Sequence, residues 1–138
     1  MELSQITNCL EGSKLRYSKI ASSYWQVQLE HQYARYILNI RVNEGWLHYG
    51  AELITCATNI NDKSKVKLYQ FSLKLNSRIN GSHIAESGNT FLLIRNDFLS
   101  DINSKNLSRG IDYVHATHEY VYPKLLYKAQ ELRIRLVQ

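Results

Sequence analysis

The chain has 138 residues, 44% of them apolar, and a single proline, a composition suited to one folded domain over 1–138 and not to a disordered segment. Seventeen Lys and Arg against twelve Asp and Glu leave a net charge of +5, which favours acidic partners or a nucleic acid. The bases are scattered, from Lys14, Arg16 and Lys19 to Arg133 and Arg135, so a solvated surface accounts for most of them.

No apolar run approaches the ~20 residues that cross a bilayer. The start Met1-Glu2-Leu3-Ser4-Gln5 turns polar too early for a signal peptide, so a soluble protein of the reducing cytoplasm is expected. Cys9 and Cys56 lack the paired spacing of a zinc or redox motif and read as two packed thiols.

Leu3, Ile6, Thr7 and Leu10 recur at helical spacing, which predicts a helix over 2–11 closed by Gly12. A weaker strand is expected at 15–20. From Tyr24 the period becomes two, with Trp25, Val27 and Leu29 set against Tyr24, Gln26, Gln28 and Glu30. A second alternating strand over 35–42 and a third over 46–54 are joined by the turn Asn43-Glu44-Gly45, making an antiparallel meander.

Residues 59–64 read as a polar loop. The helical period returns at Lys65 with Leu68, Phe71, Leu75 and Ile79, and should stop at Asn80-Gly81. Segments 82–86 and 90–96 flank Ser87-Gly88-Asn89 as a hairpin. Ser104 is a candidate N-cap for a helix whose stripe is Leu107, Ile111, Val114, His118 and Val121; Pro123 should kink or restart it before a last helical segment carrying Leu125, Leu126, Ala129, Leu132 and Leu136. Strand runs separated by such helices imply an α+β domain, an antiparallel sheet covered by helices on one face.

The run from Leu68 that ends Leu75-Asn76-Ser77-Arg78-Ile79-Asn80-Gly81, the strand Phe91-Leu92-Leu93-Ile94-Arg95-Asn96-Asp97-Phe98 and the closing Glu119-Tyr120-Val121-Tyr122-Pro123-Lys124-Leu125 resemble the type III secretion chaperone-like superfamily, and its YbjN-type proteins in particular. The likeness covers residues 64–125 best, and the first 60 only by order of elements. It implies a small non-catalytic bacterial protein, often a homodimer, that holds a segment of a client polypeptide. It also implies the role of assembly or escort factor, with clients such as subunits of carboxysome or photosynthetic complexes. Members of that superfamily are commonly acidic; this basic chain departs from them, which points to an acidic or flexible client tail.

His115-Ala116-Thr117-His118-Glu119 invites a metal reading, but the glutamate lies outside the histidine pair, unlike the zinc-protease signatures. His115 with Glu119 reads as a surface pair and His118 as a packed histidine. No nucleophile elbow, phosphate loop or cofactor fingerprint is present, so neither an enzyme nor a bound cofactor is expected. The candidate client-binding residues lie on the meander face turned away from the helices: Tyr24, Gln26, Ile37, Arg41, Trp46 and His48, a set rich in the aromatic and arginine anchors of interfaces. The alternative is a small single-stranded nucleic-acid-binding protein, for which Tyr120, Tyr122 and Tyr127 beside Lys124 and Lys128 supply stacking groups and charge.

Overall fold

The computed structural model describes residues 2–137. Its elements follow in the order α1 (Leu3–Gly12), β1 (Arg16–Ala21), β2 (Tyr24–His31), β3 (Ala34–Asn43), β4 (Trp46–Thr55), α2 (Asp62–Asn76), β5 (His83–Ser87), β6 (Thr90–Phe98), a 3-10 turn Leu99–Asp101, and α3 (Ser104–Glu131). The strands form one antiparallel sheet ordered β1-β2-β3-β4-β6-β5. The expected α+β layering is thus observed, with the meander continued by the hairpin β5-β6.

Period-two alternation decides which side of the sheet is dry. Trp25, Val27, Leu38, Ile40, Leu47, Tyr49 and Leu93 are buried on one face, and the helices pack there. α3 contributes Leu107, Ile111, Val114, His118, Val121, Leu125 and Ala129 to that core, α2 contributes Leu68 and Leu75, and α1 contributes Ile6 and Leu10. The Trp25 indole N–H donates to the Thr7 hydroxyl at 3.0 Å and ties α1 to β2. No helix of the described residues is long and apolar enough to cross a membrane.

Turn chemistry sets the register. Glu44 and Gly45 both have positive φ, 51° and 82°, the mirror-image turn whose twist matches flanking antiparallel strands. Asn76, the last residue of α2, acts as a surrogate strand: its amide donates to the Ile84 carbonyl at 3.0 Å and its carbonyl accepts the Ile84 N–H at 2.6 Å, fixing β5 to the helix.

Several expected boundaries move. The left-handed residue that ends α1 is Lys14 (φ 57°), and Gly12 stays helical. α2 begins at Asp62, because the Asn61 side chain accepts the Lys63 and Ser64 N–H groups, and it ends at Asn76, before Asn80-Gly81. Asn103, not Ser104, caps α3 by accepting the Asn106 N–H at 2.9 Å. Pro123 neither stops nor restarts the helix, which runs on to Glu131. The ~3 kcal/mol cost of an interior proline is offset by burying Val121, Leu125 and Ala129 on either side, since full burial of a large aliphatic side chain contributes about 1.5–3 kcal/mol. Leu136 leaves the helical stripe altogether and bridges to Cys56.

Gly110 is where α3 meets the sheet most closely: a Cβ built there would overlap the hydroxyl end of buried Tyr49. Gly110→Ala should therefore lower stability by about 1–3 kcal/mol through overpacking, despite the better helix propensity of alanine. Asn76→Ala should cost about 1–3 kcal/mol by leaving the Ile84 backbone groups unpaired. Urea unfolding followed by circular dichroism measures both, and an unchanged midpoint for either variant would remove the role assigned to that residue.

Candidate functional site

Among the described residues, no element covers the second face of the sheet. The structure places all six expected residues, Tyr24, Gln26, Ile37, Arg41, Trp46 and His48, on that face, because each alternates with a buried neighbour. Cross-strand pairing puts Tyr24, Arg41, His48 and Asn96 in one row across β2, β3, β4 and β6. The next row joins Asn43, Trp46 and Phe98.

Within these rows the polar groups are already partnered. The Arg41 guanidinium lies 4.1 Å from the centre of the Tyr24 ring. The Tyr24 hydroxyl donates to the Asn39 side-chain carbonyl at 2.5 Å and accepts the Gln26 amide at 2.8 Å. His48 and Asn96 are hydrogen-bonded at 2.6 Å. Trp46 stacks on Phe98 with ring centres 4.3 Å apart, yet the two remain 37% and 55% exposed, an aromatic platform with one side free. Ile37 stands apart from both rows, further along β3 opposite Gln28. Phe98 and Asn96 were not among the expected site residues. The alternation from Thr90 carries on two residues beyond 96, and it is that continuation which brings Phe98 beside Trp46.

A different cluster lies under the other end of β3 and β4. The two strands pair as far as Leu38 and Ala51, although both continue; Ala34–Tyr36 and Leu53–Thr55 beyond are not paired with each other and line a cleft with His118, Tyr122 and Leu126. The β4-β6 register is irregular between Glu52 and Ile54 there, so β4 carries an extra residue and the adjacent side chains Leu53 and Ile54 are both buried. His118 of α3 sits below the two strands. Its ring stacks on Tyr36 at 3.7 Å and 2°, and its Nε2–H donates to the Glu52 carbonyl at 3.1 Å.

That bond fixes the tautomers. A carbonyl only accepts, so Nδ1 of His118 is the acceptor and takes the Nε2–H of His31 at 2.8 Å, while Nδ1 of His31 takes the Tyr33 N–H at 3.1 Å. The Tyr36 hydroxyl and His115 Nδ1 are hydrogen-bonded at 2.8 Å. The expected packing of His118 is therefore observed, but His115 turns to Tyr36 and Glu119 reaches Gln32, so the surface pair expected between them does not form. Across-sheet partners on β3 and the β2-β3 turn draw both side chains away. Among the described residues no group of three or more His, Cys, Asp or Glu is placed to hold a metal. Cys9 and Cys56 are buried free thiols.

Burial pushes the His118 imidazole down to about 4, against the opposing pull of the Glu52 carbonyl, and burial likewise lowers His31, with His115 lowering it further and Glu119 opposing. The unfolded chain thus binds the His118 proton first as pH falls. The stability of the neutral cluster is full above about pH 6.5 and lost progressively toward pH 4, on the order of 3 kcal/mol for His118. Urea midpoints measured between these pH values should fall steeply for the native chain and much less for His118→Gln. Equal slopes would show that the acid sensitivity lies elsewhere.

No protein-family model and no curated protein matches the chain. Solved structures of like fold do. YbjN from E. coli, a proposed transcription regulator, aligns over 99% of this chain and 96% of its own with a TM-score of 0.66 and 7% identity. The ExsC-ExsE complex aligns over 91% of this chain and 97% of that one, with a TM-score of 0.61 and 9% identity. The ExoU-SpcU heterodimer of the Pseudomonas aeruginosa type III secretion system aligns over 86% and 95%, with a TM-score of 0.54 and 17% identity. Likeness at these identities is a likeness of fold, and the chain has the type III secretion chaperone-like fold in its YbjN-type form.

Proposed function

We propose that the chain is a non-catalytic protein-binding domain that serves as an assembly or escort chaperone, holding a segment of a client polypeptide on the uncovered face of its sheet. The observation that carries this reading is the Trp46–Phe98 stack, two large exposed aromatics on a face that no helix of the described residues covers. Fold neighbours that are complexes of two proteins support it.

Trp46 and Phe98 anchor apolar side chains of the client, and Arg41, held over Tyr24, offers its charge to an acidic one. Gln26 and His48 fix orientation at the rim, and Ile37 extends the contact along β3. The net charge of +5 speeds encounter with an acidic tail, an effect that salt screens. The client is a subunit of an intracellular assembly, released when its proper neighbour competes for the same segment. The working form is a homodimer in a reducing cytoplasm, where Cys9 and Cys56 stay thiols.

Affinity capture from native lysate with the native chain, Trp46→Ala and Arg41→Glu tests this. A protein enriched by the native chain should be lost with Trp46→Ala and weakened, most at low salt, with Arg41→Glu. If instead no protein is enriched and single-stranded oligonucleotides bind with a steep salt slope, the nucleic-acid alternative replaces the chaperone reading.

A further inference from the structure

The outer surface of the helical layer carries large apolar residues left in solvent. On α2, Leu68, Ser72 and Leu75 are buried, while Val66, Tyr69 and Leu73 are 55%, 41% and 56% exposed. At ~100° per residue, Val66 and Leu73 form one row along the crest of the helix, with Tyr69 at its edge. On α3, Tyr120 and Tyr127 lie about two turns apart and are 39% and 68% exposed.

Cations lie between these two crests. Phe71 turns toward α3, where the Lys128 ammonium is 5.6 Å from its ring centre, and on that same side of α2 the helical period places Lys63, Lys67 and Lys74. The Lys124 ammonium lies 3.7 Å from the Tyr120 ring centre, and Arg78, just past the end of α2, lines a small hollow with Thr117 and Tyr120. Among the described residues Lys63, Lys67, Lys74, Arg78 and Lys124 have no ion-pair partner, whereas Lys65 holds Glu86 and Lys128 holds Glu131. The only acid in α2 is Asp62, its first residue. Bases scattered along the chain are thus gathered on one surface by the packing of two helices.

We propose that this surface docks on an anionic lipid membrane, with α2 and α3 lying in the plane of the interface. Val66 and Leu73 enter the boundary between headgroups and acyl chains, Tyr69, Tyr120 and Tyr127 sit at headgroup depth, and the lysines between them meet the lipid phosphates. The arrangement favours this occupant over an acidic protein helix. A partner helix lays its apolar face into an apolar groove, but here the apolar side chains stand on the crests and the charges fill the valley. Aliphatic Val66 and Leu73 give a nucleic-acid base no stacking surface, and Lys124 already covers one face of Tyr120. The contact is peripheral, since no helix of the described residues is long and apolar enough to cross a bilayer. It goes beyond client binding and does not depend on it: the Trp46 face lies on the opposite side of the sheet and stays open while the helices rest on lipid.

Co-sedimentation of the full-length chain with vesicles tests this, using phosphatidylcholine alone or equal parts phosphatidylcholine and phosphatidylglycerol. Binding to the mixed vesicles should be about tenfold or more tighter than to the neutral ones and should weaken with salt. Lys67→Glu with Lys74→Glu should lower it about tenfold or more, and Leu73→Ser severalfold; all three positions are exposed, and circular dichroism checks that the variants fold. Leu73→Trp adds a reporter whose emission should move to shorter wavelength on the mixed vesicles, relative to the native chain. Trp46→Ala should bind lipid as the native chain does. No binding of the native chain to mixed vesicles overturns the proposal, whatever the variants do. Binding that the two charge reversals leave unchanged, or that Trp46→Ala abolishes, overturns it too, because the lipid then touches another face. Binding without a shift at Leu73→Trp reduces the effect to attraction by the net charge of +5 and overturns the inserted crest. A soluble acidic protein captured by the native chain and lost with the reversals, in the absence of vesicle binding, would assign the surface to that protein and overturn the membrane.

Discussion

The packing of α3 across the middle of the sheet is the contact on which the rest depends. Its stripe from Leu107 to Ala129 faces the buried side of β4 and β6, and the absence of a side chain at Gly110 lets the helix come down onto Tyr49. α1 and α2 then fill the remaining space on the same side, α1 through Trp25 and Thr7 and α2 through Asn76 and β5. The three helices lie on one face, and among the described residues no element covers the other. The uncovered face follows from how the apolar residues are distributed, and function is sought there because nothing in the fold claims it.

The same helix also governs the end of the β3-β4 ladder. A regular ladder between β3 and β4 would continue past Leu38 and Ala51, but the extra residue in β4 turns Leu53 and Ile54 both inward, and His118 occupies the space below. A buried imidazole needs its polar atoms satisfied, and this one meets the requirement by bonding a carbonyl of one strand, stacking on a tyrosine of the other, and accepting from His31. The separation of the strands is therefore a satisfied arrangement, stable while the histidines are neutral. Burial and protonation are linked through one side chain.

The Trp46 face offers flat apolar area and a charge already paired with an aromatic ring, suited to side-chain recognition.

Period-two and period-3.6 patterns were enough to place β2, β3 and β4, the helices α1 and α2, the first part of α3 and the face that stays wet, because burial on one side imposes those periods directly on residues such as Trp25, Leu38 and Leu107, while β5 was read from the turn Ser87-Gly88-Asn89. The turn at Glu44-Gly45 and the packed His118 were legible for the same local reason. Helix ends were read less well: Asn61 and Asn103 cap through their own side chains, and Pro123 is carried through by burial on both sides, a balance that depends on what lies across the helix. The stacking of Phe98 on Trp46, the turn of His115 toward Tyr36, the end of the β3-β4 ladder at Leu38 and Ala51 and the bridge of Leu136 to Cys56 were decided only by the tertiary structure. Each joins residues far apart in the chain, and no local period records which distant strand or helix a side chain will meet.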